Sequence, residues 1–413
     1  MVHPGNAYMD NSVEKSPRWL ATAAFGLEAV VRRELEAMDI PVDKVEDGRV
    51  WFHGGPEVCV RANLGLRASD RVLLLLDDFP CLDPDTLFRH ASQIPWENLI
   101  PADGAFPVLA GTVKSALRSE PNTQKTVKKA AALRLGRAYG LTHLPETGGT
   151  YTIHVNLLRD RCTISVDTTG ESLHKRGYRT HAVAAPLKET LAAALLELSF
   201  WRPGRSLLDP CAGSGTLLIE AALMGRRIAP GLSRHFACED WALIPKSVWQ
   251  RERKQAFQAI DQTAPLDIRG GDIDGRALDQ ARRNAEEAGV SEDIQLRRCD
   301  LTAILDPAAL PPYGVIVTNP PYGERIWSDR SVRHVERALA DFFKARPDWS
   351  LFVITSDKDF ERKVMGRKAD RRRKLYNGRM EVTYYQFHGE RPPRKPREEE
   401  DSRLKNGGEA VTD

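Results

Sequence analysis

The chain has 413 residues, of which 41% are apolar and 28% are charged, and its formal net charge is +3. This length suggests two or three domains, and the composition is that of a soluble globular protein, not a fibrous or wholly disordered one. No apolar stretch approaches the roughly 20 residues of a membrane-spanning helix, and the N-terminus lacks the apolar segment of a secretion signal. We therefore expect neither membrane insertion nor export.

The N-terminal part of the chain alternates short strands and helices. Residues 1–17 lack any periodicity and are expected to form a disordered leader. The next segment, 18–60, combines an alternating run, a helical run and a turn before another strand, which predicts a small α+β unit. Residues 61–168 continue in the same style and end in two alternating runs, 150–156 and 162–167, which predict a β-hairpin.

The C-terminal part, residues 187–388, has a different pattern, in which strands alternate regularly with longer helices. The predicted strands lie at 206–209 and near 266–272, 294–299, 314–318 and 350–355, and helices are predicted at 187–200, 216–224 and 275–288, the last of which is the clearest. This alternation predicts a parallel α/β sheet with helices on both faces. A linker, 169–186, joins the two parts, and a Pro-rich charged tail, 389–413, is expected to be disordered.

Cysteines and charges give weaker indications. The six cysteines form no CxxC pair and no cluster with zinc-ligand spacing, so we expect reduced thiols, a cytoplasmic location and no metal. Positive charge is concentrated: residues 112–139 hold seven Lys or Arg against one acid, and residues 361–379 hold nine against two. Such patches suit a polyanion, although a solvated surface remains an open interpretation of each.

The glycine-rich segment 209–216 follows an apolar strand and precedes a helix, the position at which parallel sheets bind ligands. It lacks the Gly-Lys pair of a phosphate-binding loop, and Leu218 stands where a dinucleotide fingerprint needs a small residue. Asp209 would repel a phosphate but suits a cationic ligand. S-adenosylmethionine has a sulfonium and an α-amino group and no phosphate, so it fits this pattern.

Two further acids agree with this interpretation. Asp272 ends the second predicted strand of the domain, where it can accept hydrogen bonds from ribose hydroxyls, and Asp300 follows the third, where it can accept from an adenine amino group. Each acid alone is explained by a strand-end cap, but three acids at three successive strand ends favour a ligand site.

The most specific motif is Asn-Pro-Pro-Tyr at 319–322, directly after an apolar strand. The prolines restrict the backbone and remove its donors, so the Asn319 side-chain oxygen and the Pro320 carbonyl can accept both hydrogens of an exocyclic amine. The ring of Tyr322 can stack on a planar base. A rigid turn is the structural alternative, and the motif alone does not choose among adenine N6, cytosine N4, glutamine amide and guanine N2.

Together these motifs resemble the amino-methylating branch of the class I S-adenosylmethionine-dependent methyltransferases. More narrowly, the chain resembles the THUMP-domain RNA methyltransferases that modify guanine N2, typified by the N-terminal half of ribosomal RNA large subunit methyltransferase L. The similarity covers about residues 18–388 and includes the segments 25–28, 47–50, 167–179, 185–192 and 228–231. It implies an α/β fold in which an α+β ferredoxin-like and THUMP RNA-binding region precedes a Rossmann-like class I methyltransferase domain. Bifunctional members of this family continue into a second methyltransferase domain, whereas this sequence ends after the charged tail. We therefore expect only the guanine-N2 activity here.

The resemblance implies roles for individual residues. Those expected to bind S-adenosylmethionine are Glu189, Asp209, Pro210, Cys211, Ala212, Gly213, Gly215, Thr216, Asp272, Ile273 and Asp300. Those expected to position the target amine are Asn319, Pro320, Pro321 and Tyr322. Those expected to contact RNA are Lys114, Ser115, Arg118, Gln124, Lys125, Lys128, Lys129, Arg176, Tyr178 and Arg179. The last three lie in the link between the two halves, where they could touch either RNA or the mouth of the active site.

The predicted function is methyl transfer from S-adenosylmethionine to the N2 amine of a guanine in RNA, with 23S rRNA favoured. Transfer RNA guanine remains open as a substrate, and DNA adenine methylation is the nearest competing enzyme activity. A non-catalytic RNA-binding or ribosome-assembly factor on the same fold is the alternative from another class.

Overall fold

The computed structural model describes residues 16–179, 187–321, 329–378 and 380–393, and it contains one seven-stranded sheet in each half. The N-terminal strands are β1 (Arg18–Ala23), β2 (Val42–Glu46), β3 (Arg49–His53), β4 (Ser69–Pro80), β5 (Val108–Val113), β6 (Ile153–Leu158) and β7 (Arg161–Asp167). The helices of this half are α1 (Glu28–Ala37), α2 (Pro56–Gly65), α3 (Pro84–Gln93) and α4 (Glu120–Tyr139).

The N-terminal sheet has the strand order β2-β3-β1-β4-β7-β6-β5. Neighbouring strands are antiparallel except β5 and β6, which are parallel. The long strand β4 pairs with β1 on one side and with β7 on the other, so the two predicted α+β segments share one sheet. The predicted hairpin is present as β6 and β7.

The C-terminal half contains the strands β8 (Leu207–Asp209), β9 (Ile268–Asp272), β10 (Ile294–Arg298), β11 (Val315–Thr318), β12 (Ser350–Thr355), β13 (Arg371–Asn377) and β14 (Met380–Phe387). Its helices are α5 (Glu189–Leu198), α6 (Thr216–Gly225), α7 (Lys246–Gln258), α8 (Gly275–Glu287), α9 (Leu301–Ile304), α10 (Asp329–Ala345) and α11 (Phe360–Lys363). The strand order is β10-β9-β8-β11-β12-β14-β13.

The first five strands of this order are parallel, and β14 runs antiparallel to β12. After β8 the chain builds the sheet toward β10, and it then returns to add β11 and β12 on the opposite side. The strand order therefore reverses between β8 and β11. In open parallel sheets such a reversal opens a crevice at the carboxyl ends of the strands, where ligands bind.

The two halves are packed against each other. One cluster of buried apolar residues includes Leu35 and Val72 from the N-terminal half and Leu195 and Trp249 from the C-terminal half. At the junction, Arg67 Nη2 donates to the carbonyl oxygen of Ile228 at 2.6 Å. This shared core holds the N-terminal sheet in one orientation relative to the crevice.

The described residues leave some predictions open. The leader and the tail lie mostly outside the described ranges, as does part of the linker, and the domain boundaries stay predictions. Within these ranges no helix combines the length and the apolar character needed to cross a bilayer. The same residues contain no group of three or more metal-ligating side chains.

Candidate active site

The glycine-rich loop leaves the end of β8 and enters α6 through two residues with left-handed backbone conformations. Gly213 has φ 53° and Gly215 has φ 80°, values that side chains disfavour. A Cβ on Gly215 would lie 2.9 Å from the Cβ of Ala281, so α8 packs too closely for any side chain there. The amide of Gly213 donates to Asp272 Oδ2 at 2.9 Å, which joins the loop to the end of β9.

Asp209, the last residue of β8, is buried and hydrogen-bonded to this loop. Its side chain is 2% exposed, and its Oδ1 accepts from the amide of Cys211 at 3.1 Å and from Thr318 Oγ1 at 2.8 Å. Burial raises the pKa of this carboxyl to about 7, an effect that the two hydrogen bonds partly offset. Asp209 Oδ1 thus links the glycine-rich loop to the last residue of β11.

A cavity of about 330 Å³ lies at the ends of β8, β9 and β10. Its lining consists of Pro210, Cys211, Asp272, Ile273, Cys299, Asp300, Leu301, Pro321, His334 and Val335. Five predicted cofactor residues and one residue of the Asn-Pro-Pro edge therefore meet around one space. Cys299, Leu301, His334 and Val335 were not predicted; the first two flank Asp300, but no sequence signal marks the two residues from α10.

Two carboxylates supply acceptors to this cavity. Asp272 accepts from the amides of Gly213 and Asp274, which fixes the orientation of its carboxylate. Asp300 caps α9 by accepting from the amide and hydroxyl of Thr302, and its Oδ2 lies 3.4 Å from His334 Nε2. The hydrogen bonds from Thr302 lower the pKa of Asp300, so it is ionised at neutral pH. These acceptors among apolar neighbours fit a ligand with hydroxyl and amino groups.

The Asn-Pro-Pro edge adjoins the cavity through Pro321. Asn319 follows the last residue of β11, and its Oδ1 is buried without a hydrogen-bond donor from any residue that the structure describes. Buried acceptors are rarely left unpaired, so this oxygen is open to a donor that the described residues do not supply. Tyr322 lies outside the described residues.

Glu189 and Arg179 lie beside the start of α6. Arg179 Nη2 donates to Thr216 Oγ1 at 2.6 Å, and its Nη1 lies 3.4 Å from Glu189 Oε1. Glu189 is 3% exposed, and burial raises its pKa. No described residue bonds to Glu189 Oε2 or Arg179 Nε, although both atoms are buried. Neither residue lines the 330 Å³ cavity. The side chain of Arg179 is directed toward the start of α6 and not toward the surface.

The prediction that Arg176 and Tyr178 contact RNA is wrong. Arg176 is 5% exposed and Tyr178 is 4% exposed. Arg176 Nε and Nη2 lie 3.4 Å from the carboxylate of Glu220, and the Tyr178 hydroxyl donates to Glu220 Oε1 at 3.1 Å. Glu220 is fully buried on α6, and these two side chains satisfy its charge. The signal that was missed is an acid within the apolar run of α6.

The predicted RNA-contact residues of the N-terminal half form two groups. Lys114, Ser115 and Arg118 line a pocket of about 530 Å³ together with Asp160. Ser115 is mostly buried, and its hydroxyl accepts from the amide of Asp160, so it shapes the pocket more than it is exposed to solvent.

The second group lies on α4. Lys125 and Lys129 are exposed one turn apart, and Gln124 is half-buried. Lys128 differs, because its ammonium binds both carboxylate oxygens of Glu146 at 2.6 and 2.7 Å and the carbonyl oxygen of Phe106. Its charge is therefore already paired within the protein.

Three family models match the chain. The RlmL ferredoxin-like domain matches residues 18–73, the THUMP domain matches residues 82–167, and the RMKL-like methyltransferase domain matches residues 176–386. These matches confirm the predicted fold class, in which ferredoxin-like and THUMP regions precede a Rossmann-like methyltransferase domain.

Similar proteins agree with these models. The putative RNA methyltransferase YpsC of Bacillus subtilis is 41% identical over 385 residues, which cover 92% of this chain and 98% of that protein. Ribosomal RNA large subunit methyltransferase K/L of Syntrophotalea carbinolica is 34% identical over 386 residues, which cover 90% of this chain and 53% of that protein. This chain thus spans about half the length of the K/L enzyme.

A solved structure supports the same assignment. SMU.472, a putative methyltransferase complexed with SAH, is 41% identical, with a TM-score of 0.84, and the match covers 92% of this chain and 99% of that one. The chain therefore belongs to the THUMP-domain RNA methyltransferases whose catalytic domain is of the RMKL-like type.

Proposed function

We propose that this protein transfers a methyl group from S-adenosylmethionine to the N2 amine of a guanine in RNA, with 23S rRNA as its substrate. The observation that carries the proposal is the buried Asn319 Oδ1, which lacks a donor among the described residues and lies at an edge that adjoins the cavity. An exocyclic amine supplies the missing donor. The K/L relative, named for ribosomal RNA of the large subunit, supports the choice of substrate.

The cofactor is S-adenosylmethionine, in agreement with the methyltransferase family and with the SAH complex of the similar structure. When bound, it would supply an electrophilic methyl group: the S–C bond breaks as the N–C bond forms, the neutral thioether SAH leaves, and the nitrogen loses one of its two protons to water. We assign Asp272 to the ribose hydroxyls and Asp300 to the adenine amine, because both present carboxylate oxygens to the cavity. Glu189 Oε2 and the loop at Gly213 and Gly215 are assigned to the methionine end.

Asn319 and Pro320 act on the substrate amine. When the Asn319 oxygen and the Pro320 carbonyl accept its two hydrogens, the nitrogen lone pair is favoured to point away from both acceptors and toward the methyl group. Positioning and electrostatics of this kind supply most of the catalysis in such a displacement. A stacked Tyr322 ring would repay part of the cost of unstacking the guanine from the RNA.

The exposed cations of the N-terminal half suit the RNA backbone. Lys114 and Arg118 at the 530 Å³ pocket, and Lys125 and Lys129 on α4, are placed to bind phosphates, which orient an RNA without reading its sequence. Because its substrate is 23S rRNA, we place the protein in the cytoplasm, where it acts in rRNA processing.

The test uses purified protein and labelled S-adenosylmethionine with separated 23S rRNA and tRNA from cells that lack the gene. The proposal predicts label in N2-methylguanosine of the rRNA. Label in tRNA guanosine would identify tRNA, and not 23S rRNA, as the substrate. Label in methyladenosine would refute the assignment to guanine. The variant Asn319→Ala is the control, because it removes the proposed acceptor without touching the cavity lining.

A further inference from the structure

The strands that carry the glycine-rich loop and the Asn-Pro-Pro edge separate before they end. β8 and β11 pair only at Leu207 with Val315 and at Leu208 with Ile316 among the described residues. On its other side, β8 stays paired with β9 through Asp209, and β11 stays paired with β12 through Thr318. The last residues of β8 and β11 thus face each other across the crevice without a backbone ladder.

A side-chain hydrogen bond joins the two strands at this point. Thr318 Oγ1 donates to Asp209 Oδ1 at 2.8 Å, and the same oxygen accepts from the amide of Cys211 at 3.1 Å. Thr318 is fully buried, and Asp209 is nearly so. One carboxylate oxygen therefore contacts both the strand that leads to Asn319 and the loop that borders the cavity.

We propose that Thr318 is a positioning residue: through Asp209, its hydroxyl sets the separation between the glycine-rich loop and the Asn-Pro-Pro edge. The inference rests on the proposed role of Asn319. In-line methyl transfer needs the donor and the amine at one distance and alignment, and a misplacement of about 1 Å can cost about 10²-fold in rate. Loss of the hydroxyl should therefore slow the chemical step, while the residues proposed to bind the cofactor and those proposed to bind the substrate amine are unchanged.

The principal variant is Thr318→Val, which keeps the shape of the side chain and removes the donor. Thr318→Ser restores a donor at the same position. The matched control is Thr355→Val, because Thr355 is a buried threonine that ends β12, the adjacent parallel strand. Its Oγ1 accepts from the backbone amide of Asp357, whereas that of Thr318 donates to Asp209. If Thr318→Val does not fold, Thr318→Ala removes the hydroxyl without the added methyl group.

Two readouts are combined. The first is turnover with total RNA from cells that lack the gene, counting every methylated nucleoside, together with the affinity for S-adenosylmethionine by calorimetry. The second is hydrogen exchange of the segments 207–216 and 315–319 in the protein without ligands, which requires no turnover.

For Thr318→Val, the inference predicts kcat lower by about 10- to 100-fold, with KM for RNA and cofactor affinity within about twofold of the wild type. Exchange should become faster in both segments, Thr318→Ser should recover most of the rate, and Thr355→Val should change neither segment. Unchanged kcat and exchange, or a loss of cofactor affinity equal to the loss of kcat, would overturn the inference. A wild-type product other than N2-methylguanosine would refute the proposed function and leave this test intact.

Discussion

The pH dependence of stability tests the burial of Asp209 most sharply. Its pKa is raised from 3.8 to about 7 in the folded protein, mainly because burial disfavours the charged carboxylate. Between these two values the folded state keeps a proton that the unfolded state has lost. The contribution of Asp209 to the free energy of unfolding should therefore fall as the pH rises from about 4 to about 7, and the loss is complete above that range.

The magnitude follows from the difference between the two pKa values. About three pKa units at 1.36 kcal/mol each correspond to roughly 4 kcal/mol of stability lost across this range. In Asp209→Asn the amide does not ionise, and its oxygen still accepts from Thr318 and Cys211. The variant should therefore lose this part of the pH dependence and become more stable than the wild type above about pH 7.

The assay is urea unfolding of both proteins at several pH values between about 4 and 8, without ligands. Asp261→Asn is the contrasting control, because hydrogen bonds from Thr263 lower the pKa of Asp261, so its contribution is lost only as the pH falls below the ordinary range of aspartate. Parallel stability curves for wild type and Asp209→Asn across the whole range would refute the reasoning.

Three further changes have defined outcomes. Asn319→Ala should lower methyl transfer by about 10²-fold or more with unchanged cofactor affinity in calorimetry, and an equal loss of affinity would contradict its assignment to the substrate amine. Exchanging Lys125 and Lys129 for Glu should weaken RNA binding and reduce its salt dependence in filter binding, whereas the exposed Lys254→Glu on α7 should not; equal effects would remove the N-terminal surface from the proposal. Glu220→Ala should lower the free energy of unfolding by about 3–5 kcal/mol in urea titrations, because it leaves a buried guanidinium unpaired, and a change below about 1 kcal/mol would contradict the buried network.

The sequence predicted those parts of the site that depend on local motifs. The glycine-rich loop, Asp272 and Asp300 follow strands whose order is set by α/β alternation, so their meeting at one sheet edge could be expected. The Asn-Pro-Pro motif predicted acceptors at the end of a strand, and the Asn319 Oδ1 is buried there without a donor among the described residues, while its role toward a substrate amine stays a prediction. In each case the position along a strand determines the position in the fold.

The parts that were missed depend on contacts distant in sequence. Arg176 and Tyr178 lie in a basic segment, a pattern typical of the protein surface. Only the folded structure shows that both side chains bind the buried Glu220. Lys128 likewise pairs with Glu146, a residue distant in sequence, so its charge is partly offset within the protein. His334 lines the cavity from α10, and no sequence motif predicts where that helix packs. Pairing of buried charges is a tertiary property, which a basic or acidic residue does not reveal by itself.

The most direct test of the central claim is nucleoside mass spectrometry of separated 23S rRNA and tRNA from cells with the gene, cells without it, and cells that carry only Asn319→Ala. The account predicts that N2-methylguanosine in 23S rRNA decreases without the gene and is not restored by the variant, while tRNA is unchanged. Unchanged methylated nucleosides in both RNA fractions, or full restoration by Asn319→Ala, would contradict it.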